Sequence, residues 1–138
     1  MPPDEVFLSH ASQNSKFASE LAIEIRRHGI PVWYSTTNLV GAQQWMDEIG
    51  SALQRCDWLV VVLSPDSVNS MWVKREVSYA LQEQRYEGRI VPLLLEDCDV
   101  ERLSWVLGMI QRVDGRGGLA EAVREVLRVW GIGYRHAN

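Results

Sequence analysis

Asp57-Trp58-Leu59-Val60-Val61-Val62-Leu63, closed by Ser64-Pro65-Asp66, is the stretch on which the fold turns. It is apolar and rich in β-branched residues, and it does not alternate with polar ones. A strand of this kind is covered on both faces, as strands of a parallel sheet are. Ser64-Pro65-Asp66 then breaks it. Just upstream, Trp45, Met46, Ile49, Ala52 and Leu53 recur at helical spacing. Just downstream, Ser70 stands where it can cap a helix whose one side carries Val73, Val77, Ala80, Leu81 and Gln84, with Gly88 as its end. Arg89 to Leu95 is the next strand, and Pro92 within it points to a place near the sheet edge.

The same alternation extends to both ends of the chain. Val6-Phe7-Leu8 reads as a first strand, and Ser12, Asn14 and Ser15 all suit a helix cap. Phe17, Ala18, Leu21, Ala22 and Ile25 then form one buried stripe, which His28-Gly29 ends. Pro31-Val32-Trp33-Tyr34 is a second strand, followed by a polar loop from Ser35 to Gly41. Beyond the fourth strand, Asp97 to Gly108 matches no element, and Met109 to Val113 is expected as a short fifth strand. Leu119, Val123, Val126, Leu127 and Trp130 mark a closing helix. Strands and helices that alternate in this way, joined by right-handed crossovers, give an α/β doubly wound sheet. The expected architecture is flavodoxin-like: five mostly parallel strands in the order 2-1-3-4-5, with helices on both faces. Ligands in such sheets bind at the carboxyl ends of the strands, near the switch between strands one and three. Residues 9–12, 35–41 and 64–76 converge there.

Composition sets the outer bounds. With 138 residues, 46% apolar and 23% charged, the chain is expected to form one domain, 1–138, with a real core. A net charge of −4 without a basic stripe argues against direct nucleic-acid binding. Cys56 and Cys98 form no Cys-x-x-Cys pair, and His10, His28 and His136 share no ligand spacing, so no metal site is expected. Both cysteines read as free thiols of a reducing, cytoplasmic compartment. Met1-Pro2-Pro3-Asp4-Glu5 is no signal peptide, and Trp58 to Leu63 is far too short to span a membrane.

Chemistry gathers in Ser70-Met71-Trp72-Val73-Lys74-Arg75-Glu76. Trp72 and Glu76 are four apart, one turn along one helix face. Glu76 falls on the border of the Val73/Val77/Ala80 stripe, where partial burial raises a carboxyl pKa. Two readings fit this spacing: a surface Glu bordering the core beneath a packed Trp72, or a working carboxylate beside an indole. Similarly, Ser9, His10 and Ser12 either seat a phosphate at a helix N-terminus or, through Ser12, merely cap that helix.

Several segments, taken in order, resemble the Toll/interleukin-1 receptor (TIR) domain family, above all its bacterial members. Val6-Phe7-Leu8-Ser9-His10-Ala11-Ser12 is similar to the family's first box. Gly29 to Tyr34, followed by Leu39-Val40-Gly41, resembles its second strand and the loop after it. Cys56 to Ser67 and Ser70-x-Trp72-x-x-x-Glu76 resemble the third strand and its helix, and Arg89 to Asp99 a fourth strand and its loop.

The resemblance implies one of two functions. Some members are scaffolds that signal by homotypic assembly. Others hydrolyse NAD+ at the nicotinamide–ribose bond, with the Glu of Trp-x-x-x-Glu catalytic, which here is Glu76. It further implies substrate contacts at His10, Ala11, Ser12, Tyr34, Ser35, Leu39, Trp45 and Trp72, with Trp45 either a second stacking surface or partly core. In enzymatic members a neighbouring subunit completes the cleft, so self-association with other TIR domains switches catalysis on. NAD+ would enter as substrate, with no further cofactor, and a fused sensor domain would supply the trigger in an immune or antiviral defence response. The chain departs from the pattern at Ser35, where many relatives carry an acidic residue, and its loop is about one residue shorter. That departure removes a charged contact to ribose or nicotinamide.

Other proteins of this architecture are excluded by what is missing. A response-regulator receiver needs an acidic pair after strand one and an Asp ending strand three, where this chain has Ser9-His10 and Leu63-Ser64. A flavodoxin phosphate loop needs a Gly that Ser9 to Ser15 lacks. There is no Gly-x-Gly-x-x-Gly and no Walker sequence for a dehydrogenase or an NTPase.

Overall fold

The computed structural model describes residues 2–35 and 42–137. Its elements are β1 (Val6–Ser9), α1 (Ser15–Arg27), β2 (Val32–Tyr34), α2 (Ala42–Arg55), β3 (Trp58–Leu63), α3 (Met71–Gln82), β4 (Ile90–Leu94), β5 (Val113–Asp114) and α4 (Leu119–Val129). Every strand pair is parallel, and the order is β2-β1-β3-β4-β5, as expected from the alternation.

Strand parity divides the core into two layers. Val6, Leu8, Val60, Val62, Val91 and Leu93 face α1 and α4. Phe7, Leu59, Val61 and Leu63 face α2 and α3. This is why β3 shows no alternation: both of its faces are buried. The parity also fixes the side of each residue at the strand ends. Ser9 follows Phe7 by two, so its side chain lies on the α2/α3 side.

Pro92 fits β4 because of its register. Leu95 N donates to Leu63 O, so odd-numbered amides of β4 face β3 and the Pro92 nitrogen faces the other way. On that side β5 pairs only with Leu93 and Leu94, so no ladder bond is lost at Pro92.

Three local expectations are corrected. The third helix stops at Gln82, not at Gly88. Glu83 is extended (φ −94°, ψ 126°) and a 3-10 turn, Gln84–Tyr86, takes over. That turn lets the Arg85 guanidinium donate to Leu53 O and Cys56 O, and the Tyr86 hydroxyl to Leu53 O at 2.6 Å. They thereby satisfy carbonyls that the end of α2 leaves unpaired. Secondly, Met109 lies in a 3-10 turn, Leu107–Met109, and is 75% exposed, so the fifth strand begins only at Val113. Thirdly, no side chain caps α1: Ser12 Oγ donates to Gln13, and Asn14 is engaged elsewhere.

The chain end folds back onto α1. His28 Nδ1 lies 2.8 Å from Glu24 O, and His28 Nε2 accepts the Arg135 amide at 2.9 Å. One neutral tautomer, with the proton on Nδ1, satisfies both contacts. Cys56 is buried and Cys98 half-buried, both as free thiols. Among the described residues no helix is long and apolar enough to cross a membrane.

Candidate active site

The C-terminal ends of β1 and β3 open toward the start of α3, which Ser70 caps by accepting the Val73 amide at 3.2 Å. With that start fixed, Val73, Val77 and Ala80 are buried against the sheet, and Glu76 is buried with them, only 5% exposed. Its Oε1 accepts the Ser9 hydroxyl at 2.7 Å, linking α3 to the last residue of β1. Among the described residues it makes no ion pair. Burial pushes the Glu76 carboxyl up to about 7, and the Ser9 hydrogen bond opposes that rise. The structure therefore excludes a surface Glu that only borders the core.

One turn before Glu76, Trp72 is half-buried. Trp45 of α2 meets it edge-on, with ring centroids 4.4 Å apart at 81°, and the Arg75 guanidinium covers it at 5.1 Å. The Trp45 indole N–H donates to Ser35 Oγ at 3.1 Å. Ser35 O in turn lies 3.3 Å from His10 Nε2, while His10 Nδ1 lies 2.8 Å from Ala11 O. Both imidazole neighbours are acceptors, so a neutral ring can bond only one of them. Contacts and chain adjacency thus trace a circuit: Glu76 to Ser9, Ser9 to its neighbour His10, His10 to Ser35, Ser35 to Trp45 and Trp45 to Trp72, which lies one helical turn before Glu76.

The other expected residues adjoin the circuit or lie outside it, and the Tyr34 ring comes within 6.1 Å of His10. Ala11 is 1% exposed and Ser12 is exposed. The Tyr34 ring packs with the α1 layer, beneath Arg26 at 5.5 Å, and its hydroxyl reaches Ser19 at 3.4 Å. It therefore lies across the sheet from Glu76, because β2 parity puts Trp33, not Tyr34, on the α2/α3 side beside Phe7. Leu39 lies outside the described residues. Sequence reasoning missed the contact of Ser9 with Glu76; the parity of Ser9 with Phe7 was the available signal.

Beneath the circuit, Ser64 Oγ donates to Asn14 Oδ1 at 2.7 Å and accepts the Ser67 amide at 3.1 Å. All three side chains are buried, so this knot ties the exit of β3 to the start of α1. A groove of about 530 Å3 lies at the far end of α3, lined by Ala80, Gln84, Tyr86, Ile90 and Ile110 among others. It shares no residue with the circuit, and no working carboxylate is buried in it.

A family model described as TIR domain matches residues 6–127. The NAD(+) hydrolase TcpA of Theionarchaea archaeon (strain DG-70-1) is 27% identical over 130 residues, 91% of this chain and 39% of that protein. The 2' cyclic ADP-D-ribose synthase BtTIR of Bacteroides thetaiotaomicron is 28% identical over 75 residues, 54% of this chain and 26% of that protein. The chain thus spans about two-fifths or less of the length of these curated relatives. Among solved structures, the TIR domains of the activated Roq1 resistosome superpose with a TM-score of 0.68 at 19% identity, covering 90% of this chain and 97% of that one, a likeness of fold.

Proposed function

The chain belongs to the TIR domain family, and on that footing we propose that it cleaves NAD+ at the nicotinamide–ribose bond, with Glu76 as the catalytic carboxylate. The observation that carries this reading is the buried Glu76, free of any ion-pair partner among the described residues, one turn from the half-buried Trp72.

The chemistry asks for little more. Ordinary glycosidases use one carboxyl to protonate the leaving group and another to attack or activate water. Nicotinamide in NAD+ is already cationic. As its bond to the ribose C1′ breaks, the electron pair goes to the ring nitrogen and the ring departs neutral, so no acid is needed. Glu76 then serves as a carboxylate, holding the ribose hydroxyls and stabilising the developing positive charge. Trp72 offers a flat surface to the departing ring. Water adding to C1′ gives ADP-ribose and releases a proton. A nucleophile of the same molecule adding instead gives a cyclic ADP-ribose, the product class named for BtTIR.

Self-association belongs to the proposal: little activity as a dilute monomer and more as copies assemble. So do the trigger and the whole protein's role, since the chain covers only part of its relatives' length. Ser35, uncharged and already accepting the Trp45 N–H, favours a second reading, a catalytically silent scaffold that assembles with other TIR domains.

Incubation of the concentrated domain with NAD+ separates the two. Free nicotinamide, lost in Glu76→Ala and Glu76→Gln and rising per molecule with concentration, supports the enzyme. A silent wild type under forced assembly supports the scaffold, and activity per molecule that stays constant on dilution removes the assembly requirement.

A further inference from the structure

A buried carboxyl acts on a ligand only if something fixes its direction, and on α3 nothing local does so for Glu76. Its neighbours on the helix face, Val73, Val77 and Ala80, are apolar. The orienting contact comes from sixty-seven residues away: the Ser9 hydroxyl, 1% exposed, at 2.7 Å from Oε1. We propose that Ser9 is the positioning residue of this site, holding Glu76 Oε1 so that Oε2 is presented to the substrate. The inference rests on the NAD+-cleaving reading for its catalytic consequence, but not for the hold itself.

Three observations support it. Ser9 ends β1 with the parity of Phe7, so the strand aims its side chain at α3. A hydroxyl donates one hydrogen, and Ser9 spends it on Glu76, so its orientation is defined. Among the described residues no ion pair holds the carboxyl. His10 lies beyond β1, Asp66 before the 3-10 turn Ser67–Asn69, Asp47 and Glu48 on α2, and Lys74, Arg75 and Tyr79 on α3 itself. Burial raises the pKa of Glu76 and the Ser9 hydrogen bond lowers it.

A hydroxyl that donates to a carboxylate favours the charged form. Removing it should therefore raise the pH at which Glu76 loses its proton. The test is a 13C-NMR titration of the Glu76 side-chain carboxyl in wild type and Ser9→Ala, with the acid limb of kcat/KM for nicotinamide release measured in both. The titration midpoint should move up by about one pH unit in Ser9→Ala, and the acid limb with it, a loss of about fivefold at pH 7 that fades as pH rises. Ser9→Thr, which keeps the hydroxyl, should restore both. If Ser9→Ala does not fold, Ser9→Cys, similar in size but a weak donor, supplies the same comparison.

An unmoved midpoint overturns the inference whatever the activity. An active wild type whose acid limb is unchanged in Ser9→Ala overturns its catalytic consequence and leaves the proposed reaction standing. A moved midpoint in a protein that releases no nicotinamide sinks the reaction and keeps the hold of Ser9 on Glu76.

Discussion

Trp45 stands edge-on to Trp72, ring centroids 4.4 Å apart, so α2 and α3 are joined beside Glu76 by an indole pair. The Trp45 N–H is tied to Ser35, which fixes that ring and through it the Trp72 surface. Aromatic pairs of this geometry are worth about 0.5–1.5 kcal/mol beyond burial. A double-mutant cycle of Trp45→Ala and Trp72→Ala, read by denaturant unfolding, is expected to return a coupling in that range. In nicotinamide release the double variant should be no worse than Trp72→Ala alone. Independent losses would mean that Trp45 contacts substrate directly.

The pH dependence of the proposed reaction follows from burial of Glu76. The group works as a carboxylate, and its carboxyl is pushed up to about 7. The kcat/KM profile should therefore rise through an acid limb near that pH, well above the ordinary Glu range. A limb near 4.5 would show that Glu76 is solvated in the working protein.

The same burial sets a stability cost of definite sign. A carboxyl whose folded pKa lies above its unfolded value stabilises the fold below the unfolded value, near 4.5, and that stability is lost as pH rises to about 7. Glu76→Gln escapes the loss while keeping an oxygen for the Ser9 hydroxyl. It is expected to be more stable than wild type at pH 8 by about 3 kcal/mol, with the gap closing by pH 4.5. Urea unfolding at the two pH values measures this. An equal gap at both would place the stabilisation in packing rather than charge.

Asn14 predicts a loss of the opposite kind. Its Oδ1 is the acceptor for the buried Ser64 hydroxyl. Asn14→Ala leaves that donor without its partner in a water-excluded place, at a cost of about 1–3 kcal/mol in urea unfolding. A cost near zero would mean that water enters and replaces the amide.

The His28 ring makes a separate prediction for the chain end. It is the acceptor for the Arg135 amide, and a phenyl ring of similar shape offers no such atom. In His28→Phe the Arg135 amide should exchange with solvent up to roughly tenfold faster, the equivalent of one hydrogen bond. Unchanged exchange would show that the Tyr134 ring, beneath the guanidinium groups of Arg27 and Arg124, holds the tail without that bond.

Which of these features could be read from sequence follows from how local each one is. β3 was legible because a buried parallel strand leaves a continuous apolar run, Trp58 to Leu63. The Ser70 cap was legible because donor and acceptor are three residues apart. Ser12 and Asn14 carry the same local signal, yet Ser12 bonds Gln13 and Asn14 bonds Ser64 fifty residues away, and no local pattern distinguishes the two outcomes. The sequence pattern overruns the third helix because the 3-10 turn Gln84–Tyr86 prolongs it past an extended Glu83. The bounds of β5 are not legible because two residues carry no periodicity of their own; only pairing with Leu93 and Leu94 makes them a strand. Within the site, the Trp72/Glu76 spacing was legible, whereas its partner across the sheet was a matter of topology.

The sheet ends on one side with the three residues Val32–Tyr34 and on the other with the pair Val113–Asp114. Such stubs offer an incoming backbone too few free amides and carbonyls to zip against. A fibre of these molecules would gain little from lengthening its ladders along these described edges. Its joints would have to be made of side chains, and joints of that kind can be loosened one residue at a time.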